Sequence, residues 1–295
     1  SFDGGTGFIH IIGGGVRTIN LTSTAEMPDM RVNDANVTLN FPNTGGNTLT
    51  IEGNLDIDDG TVNVLADRLL VSGTADQSGG TFTQTTGEIE VTSTYNHSGG
   101  TFTGGAGEID LNSSFTQSGG SYSAGSGDVN ITTTLNLSGT AAFTSTTSGT
   151  ITIGTDLNVT GGSYTGGGDI IDINDDISQS GGTIDFGAGN ADVAGDVTMT
   201  GTASFTANSS GTFALTGTFT QIGGTTSFNG STGDMDAAAN MTVTDGTFTA
   251  PSGNLNFAGA TFTINAAAVG NFSDNSGTII FDRNSNSSST FSLGA

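Results

Sequence analysis

The sequence predicts an all-β fold: a single right-handed parallel β-helix, or β-solenoid, with three short strands per coil and about 20–22 residues per coil. Three observations predict it. Residues 79–138 fall into three consecutive 20-residue segments, GGTFTQTTGEIEVTSTYNHS, GGTFTGGAGEIDLNSSFTQS and GGSYSAGSGDVNITTTLNLS. A repeat of this length marks a solenoid, in which no unit can bury its apolar face alone. Within each segment three runs alternate apolar and polar residues with a period of two, separated by Gly, Ser and Thr corners, which is strand periodicity. Corresponding apolar positions also persist from segment to segment while their polar neighbours vary, so burial sets the register. A coil this short has no room for a crossover helix, so coils stack strand on equivalent strand. The right hand follows from the crossover preference of parallel strands.

One solenoid domain is expected over residues 1–295, in three stretches. Residues 1–58 carry the pattern irregularly. Phe8 to Ile12, Val16 to Leu21, Val37 to Phe41 and Leu49 to Ile57 read as strands, with Pro28 and Pro42 in connections because proline cannot donate to a ladder. Residues 59–260 are the regular coils. Their first-strand column reads Phe82, Phe102, Tyr122, Phe143, Tyr164, Ile184, Phe205, Phe228, Phe248. The second strand gives pairs such as Ile89 with Val91, Ile109 with Leu111 and Phe213 with Leu215. The third gives Tyr95, Phe115, Leu135, Leu157, Ile177, Val197, Phe219, Met241, and a second inward column near a corner reads Gln77, His97, Gln117, Leu137, Val159, Gln179, Met199, Gln221, Val243. Two-residue insertions, as between Gly139 and Gly161, belong in corners. Residues 261–295 hold one or two further coils and a polar loop at 284–290. With roughly 12 to 13 coils at about 4.8 Å each, the stack should extend on the order of 60 Å.

Composition narrows the function. The chain has 49 glycines, no cysteine, no lysine and a net charge of -24, with Arg17, Arg31, Arg68 and Arg283 as its cations. A disulfide framework is excluded, and an acidic surface is the wrong sign for nucleic acid. No apolar run is long enough to span a membrane as a helix. Disorder does not explain inward columns kept over many coils. An acidic surface rich in Thr, Ser, Asn and Gly suits a secreted, cell-surface-associated role.

Catalytic chemistry lacks its parts. The two histidines, His10 and His97, are far apart in the pattern, and His97 falls in an inward column where Gln and His satisfy corner backbone groups. No nucleophile stands beside an outward His and Asp. The expectation is a protein that is not an enzyme. Outward carboxylates do line up: Glu88, Glu108 and Asp128 in one column, Glu90 and Asp110 beside them, then Asp172 with Asp192 and Asp234 with Asp236. Like charges roughly 5 Å apart are screened by solvent or bridged by a divalent cation, so Glu88, Glu90, Glu108, Asp110 and Asp128 are the candidate metal ligands. No cofactor is required, and Ca²⁺ is the ion this oxygen-only set suits. The run Gly104 to Asp110 resembles the calcium-binding nonapeptide repeat, but its Asp comes one position late and the nine-residue period is missing.

Two other functions fit parts of the pattern. Paired carboxylates on a β-helix suit a polysaccharide-cleaving enzyme, although Arg68 is the lone arginine of the regular coils and Tyr95, Tyr122 and Tyr164 all point inward. Outward pairs Thr81/Thr83, Thr101/Thr103, Ser121/Ser123 and Thr247/Thr249 resemble ice-binding solenoids, although Asp185 and Asn229 interrupt that face. Asn36, Asn112, Asn130 and Asn158 stand in Asn-x-Ser/Thr matches that this composition produces by chance.

The repeats GGTFTGGAGEIDLNSSFTQSGG and GGSYTGGGDIIDINDDISQSGG resemble those of large repetitive bacterial surface proteins, the adhesin and autotransporter-passenger type of β-helix, over about residues 60–282. That resemblance implies a secreted or surface-attached rod used in adhesion, biofilm or fibre formation. Both ends keep strand-forming phrases, Phe8 to Ile12 and Thr278 to Phe281, which suit end-to-end stacking with copies of the same chain. The expected function is an extracellular structural or adhesive rod, the subunit of a surface filament. Its expected partners are copies of itself and other surface or matrix components.

Overall fold

The computed structural model describes residues 7–19, 23–41, 46–145, 148–207, 210–228, 232–283 and 288–293. Leu21 of the expected strand Val16 to Leu21, Pro42, Asn229 and residues 284–287 of the expected polar loop lie outside them. Two compact units divide the chain, Ser1–Thr152 and Ile153–Ala295. Each is built from three parallel sheets stacked as a β-solenoid of about 21 residues per coil.

In the first unit, the first sheet runs from Gly15–Thr18 to Ala142–Thr144, the second from Ala25–Met27 to Val129–Ile131, and the third from Phe8–Ile11 to Leu135–Leu137. The register is the one the repeat predicts. Val62, Phe82, Phe102, Tyr122 and Phe143 pair in order along the first sheet. Ile89, Ile109 and Val129 do so in the second, and Ala75, Tyr95, Phe115 and Leu135 in the third. Strand after strand alternates buried and outward residues, and the three inward rows meet in one apolar core. Aromatic rings stack at one-coil spacing: Phe102 on Tyr122 at 4.5 Å, Tyr122 on Phe143 at 4.9 Å, and Tyr95 on Phe115 at 4.9 Å.

The second unit repeats the plan, with sheets ending in Phe272–Ser273, Thr278–Phe281 and Thr290–Leu293. Here one column differs from expectation. Phe205 pairs with Thr226, and Thr226 with Phe248, so Phe228 is not a member of the first-strand column. Both residues are buried. A slip of two residues keeps a side chain on the same face of a strand, so hydrophobicity alone favoured the phenylalanine. The Thr226 hydroxyl is satisfied inside the core by donating to Gln221 Oε1 at 3.0 Å. Three smaller corrections concern the ends. Leu49 to Ile57 is two strands, Thr48–Ile51 and Leu55–Ile57. Ala25–Met27 and Asp29–Val32 are two further strands, and Pro28 lies in the connection between them, as expected. Thr290, expected in a polar loop, opens the strand Thr290–Leu293. A single helical turn, Ala266–Val269, fills one corner.

The corners are held by side chains reaching along the stack. Gln77 Nε2 donates to Gly79 O of its own corner at 3.3 Å and to Thr101 O of the next coil at 3.0 Å. Gln117, Gln179 and Gln221 repeat the arrangement, reaching Ala142, Ser204 and Thr247. His97 occupies the same column, fully buried, and neither ring nitrogen makes a well-formed hydrogen bond. Burial holds its pKa below the ordinary histidine value, opposed by the Gly100 and Gly99 backbone. His97→Gln is therefore expected to leave stability unchanged or raise it by about 1 kcal/mol, the net worth of a completed hydrogen bond. A clear loss in thermal melting would contradict this reading of the column.

Candidate functional site

In the first unit the 20-residue register decides which of the outward carboxylates meet. Glu90 pairs with Asp110, and Asp110 with Asn130, across adjacent strands of the second sheet. Glu88, Glu108 and Asp128 precede those strands at the corner. Arg68 sits one coil before Glu88. Its Nε lies 2.8 Å from Glu88 Oε1, and its Nη2 donates to Glu90. Asn112 Nδ2 donates to Glu90 Oε1 at 2.7 Å, and Asn130 Nδ2 donates to both Glu108 Oε1 and Asp110 Oδ1 at 2.8 Å. Asp128 Oδ1 accepts the Thr150 backbone N–H at 2.7 Å. The predicted ligand set is thus brought together as two neighbouring rows, threaded by protein donors that supply what a bridging cation would supply.

That threading was missed in the sequence, although its signal was there. Arg68 precedes Glu88 and Asn130 follows Asp110 by one 20-residue period, while Asn112 follows Glu90, and Asn130 follows Glu108, by 22 residues, a diagonal step to the next coil. Excess chelator at matched ionic strength is expected to leave the melting temperature unchanged, because each carboxylate already has a donor. A lowered melting temperature would show Ca²⁺ binding linked to folding at Glu88, Glu90, Glu108, Asp110 and Asp128.

Electrostatics adds a pH signature. The Asp110 charge, followed by burial and Glu88, holds the Glu108 carboxyl above its ordinary range, while the Asn130 hydrogen bond opposes. A raised folded-state pKa means that the folded chain binds more protons than the unfolded chain in the window above the ordinary carboxylate value, so stability falls as pH rises through it. His97 acts the other way, losing stability as pH falls through about 6.5. In a His97→Gln background, acidification from about pH 7 to about pH 5 is expected to raise the melting temperature, less so when Asp110→Asn is added. An identical pH slope with and without Asp110→Asn would refute the pairing.

The second unit carries a cluster that the sequence reading did not single out. Carboxylate oxygens of Asp156, Asp175 and Asp176 lie within 4.8 Å of one another. The charge of Asp176, then burial, raises the Asp175 pKa. Two of the three belong to a backbone-capping column. Asp156 Oδ1 accepts the Asp176 N–H at 3.4 Å, Asp176 Oδ1 accepts that of Asp196 at 2.7 Å, and Asp196 Oδ1 accepts that of Thr218 at 2.7 Å. A second corner does the same: Asn190 caps Thr212, and Asp234, expected to act beside Asp236, caps Asn254. Asp236 instead accepts from the Asn256 side chain at 2.7 Å. Asp and Asn at a corner thus satisfy the N–H of the equivalent residue one coil later, a structural demand that the spacing of 20 or 22 encodes.

Comparison with family models, curated proteins and solved structures gives no match. The parallel β-solenoid therefore rests on the repeat and the observed register alone.

The ends of the sheets present a different surface. Phe281 stacks over Phe257, Phe291 over Phe262 and Leu293 over Ile264, all at inward positions, yet they are 45%, 44% and 58% exposed. In the first coil, Ile9 and Ile11 lie over Met30 and Val32, while Arg17 takes the inward position over Leu39. Arg17 Nη2 donates to Gly13 O at 3.3 Å. An inward-pointing charge is one of the devices that blunt a sheet edge.

Proposed function

We propose that this chain is an extracellular, cell-surface structural or adhesive protein of the bacterial adhesin or autotransporter-passenger type, whose copies stack edge on edge into a filament. One observation carries the reading: core-column residues Phe281, Phe291 and Leu293 stand exposed on strands whose outer backbone groups have no partner strand among the described residues. Such an edge is a template for another β-coil. An apolar patch ending a core column favours a partner that continues the column, and Ile9, Ile11 and Met27 in the first coil provide inward apolar positions of the kind required. Because the two edges differ, the contact is heterologous and propagates instead of closing into a dimer. Arg17 makes one of the three columns the weak point of the joint.

Electron microscopy and sedimentation of the purified chain test this. Long fibres or a concentration-dependent series of oligomers are expected, and Phe281→Asp with Phe291→Asp is expected to abolish them while the β-sheet signal persists. A parent chain that stays monomeric at high concentration, or fibres that survive both substitutions, would exclude this edge as the joint. Arg17→Leu, completing the column of the first sheet, is expected to strengthen assembly.

A further inference from the structure

The outer face of the second sheet in the second unit is concave. Two adjoining hollows of about 460 Å³ and about 200 Å³ share Ala214 and Thr216 and open to solvent. Ala194, Ala214 and Ala258 are among the lining residues, and Ala214 stands between Asp192 and Asp236 in the outward row. Asp172 and Asp192 line one end, and Asp236 and Asp282 the other. In the first unit the matching outward positions hold Glu90, Asp110 and Asn130, so the hollow arises where this row turns to small side chains.

Asn256 donates to Asp236, but among the described residues no cation of the chain pairs with a carboxylate on this face. Asp172 and Asp192 are direct partners in the sheet, and burial followed by the Asp192 charge raises the Asp172 pKa. Among the described residues no ion pair reaches either of them. The second unit contains one cation, Arg283. Its floor strands are bonded on both sides, so the groove offers an occupant carboxylate oxygens and methyl groups but no free strand edge. That rules out a peptide added as a strand and leaves charge and methylene contact as the means of recognition.

We propose that this groove binds a linear aliphatic polyamine. Ammonium groups sit at the Asp172/Asp192 end and at the Asp236/Asp282 end, and the methylenes between them lie over Ala214. Asp192 and Asp236 are two coils apart, roughly 10 Å along the stack, a span that a few methylenes and a secondary ammonium cover. Opposite charge supplies selectivity and the alanines exclude water from the chain between the charges.

Equilibrium dialysis of the full chain against a linear tetraamine at physiological ionic strength tests the proposal. One saturable site is expected. Asp172→Asn with Asp192→Asn is expected to weaken it by roughly tenfold, the size of a lost charge-assisted contact. Ala214→Leu leaves the charge untouched but fills the hollow, and is expected to weaken binding comparably. Asp56→Asn with Asp76→Asn removes two paired carboxylates from the first unit and is expected to leave affinity unchanged. Melting curves matching the parent confirm that the variants are folded. Equal losses in the first-unit control, full binding by Ala214→Leu, or no saturable binding by the parent would each overturn the groove as the site.

Discussion

Phe115→Ala is expected to lower the unfolding free energy by about 3–5 kcal/mol, the cost of a large cavity in a core that can collapse only in part. Phe115 is fully buried, stacked on Tyr95 at 4.9 Å and packed against Tyr122 at 4.9 Å and Phe143 at 6.1 Å. Removing its ring takes contacts from three coils at once, and in a solenoid stability is a sum of coil and nearest-neighbour terms, so the loss is not shared with the rest of the chain. Thr116→Ala, on the outward face of the same strand, is expected to cost well under about 1 kcal/mol. Denaturant titration of both variants decides, and equal effects would mean that the strand is turned over.

Gly100→Ala is expected to cost about 2–5 kcal/mol, for two separable reasons. Gly100 has φ +76°, in the left-handed region, which costs an L-residue about 1–2 kcal/mol. A Cβ there would also stand 2.3 Å from Gly79 O and 2.5 Å from Gly80 O in the preceding coil, an overlap with backbone worth a further ~1–3 kcal/mol. Gly46 separates the terms: its φ is +90°, but a Cβ would meet nothing within 4 Å. Gly46→Ala is expected to show the conformational cost alone. Similar losses at both positions would mean that coils are not packed corner on corner at Gly100.

The Gly-Gly corner phrase thus encodes close approach between coils, and it was legible in the sequence only as a repeat. The columns were legible because period two and period 20 act together, so that Phe82, Phe102 and Tyr122 could be aligned without ambiguity. Where a corner lengthens, the repeat no longer fixes the count. The side-chain face survives a shift of two residues, so Phe228 fits the apolar column in sequence although Thr226 occupies it. Near the start of the chain the 20-residue interval is lost, Ala25 pairing with Leu49, so a three-residue strand such as Ala25–Met27 has no aligned repeat to reveal it. The acidic rows were legible as rows. The donors that thread them were not, because Arg68, Asn112 and Asn130 look like ordinary surface residues until the register places them one coil from Glu88, Glu90 and Asp110. The hollow over Ala214 is written in the sequence only as scattered alanines, Ala194, Ala214 and Ala258 among them, which the register brings to one face.

Stacking of equivalent strands at a 20-residue interval underlies every site described above, and it can be measured directly. The chain has no native cysteine, so spin labels can be placed at chosen pairs. Thr83 and Thr103 are outward partners on adjacent strands of the first sheet, separated by about 4.8 Å of backbone, whereas Thr83 and Thr92 lie on different sides of one coil. Strong spin–spin broadening in the Thr83/Thr103 pair and none in the Thr83/Thr92 pair, in dilute monomer, is the result expected. Broadening in the Thr83/Thr92 pair alone would mean that the strands fold back on their sequence neighbours, and would contradict the solenoid.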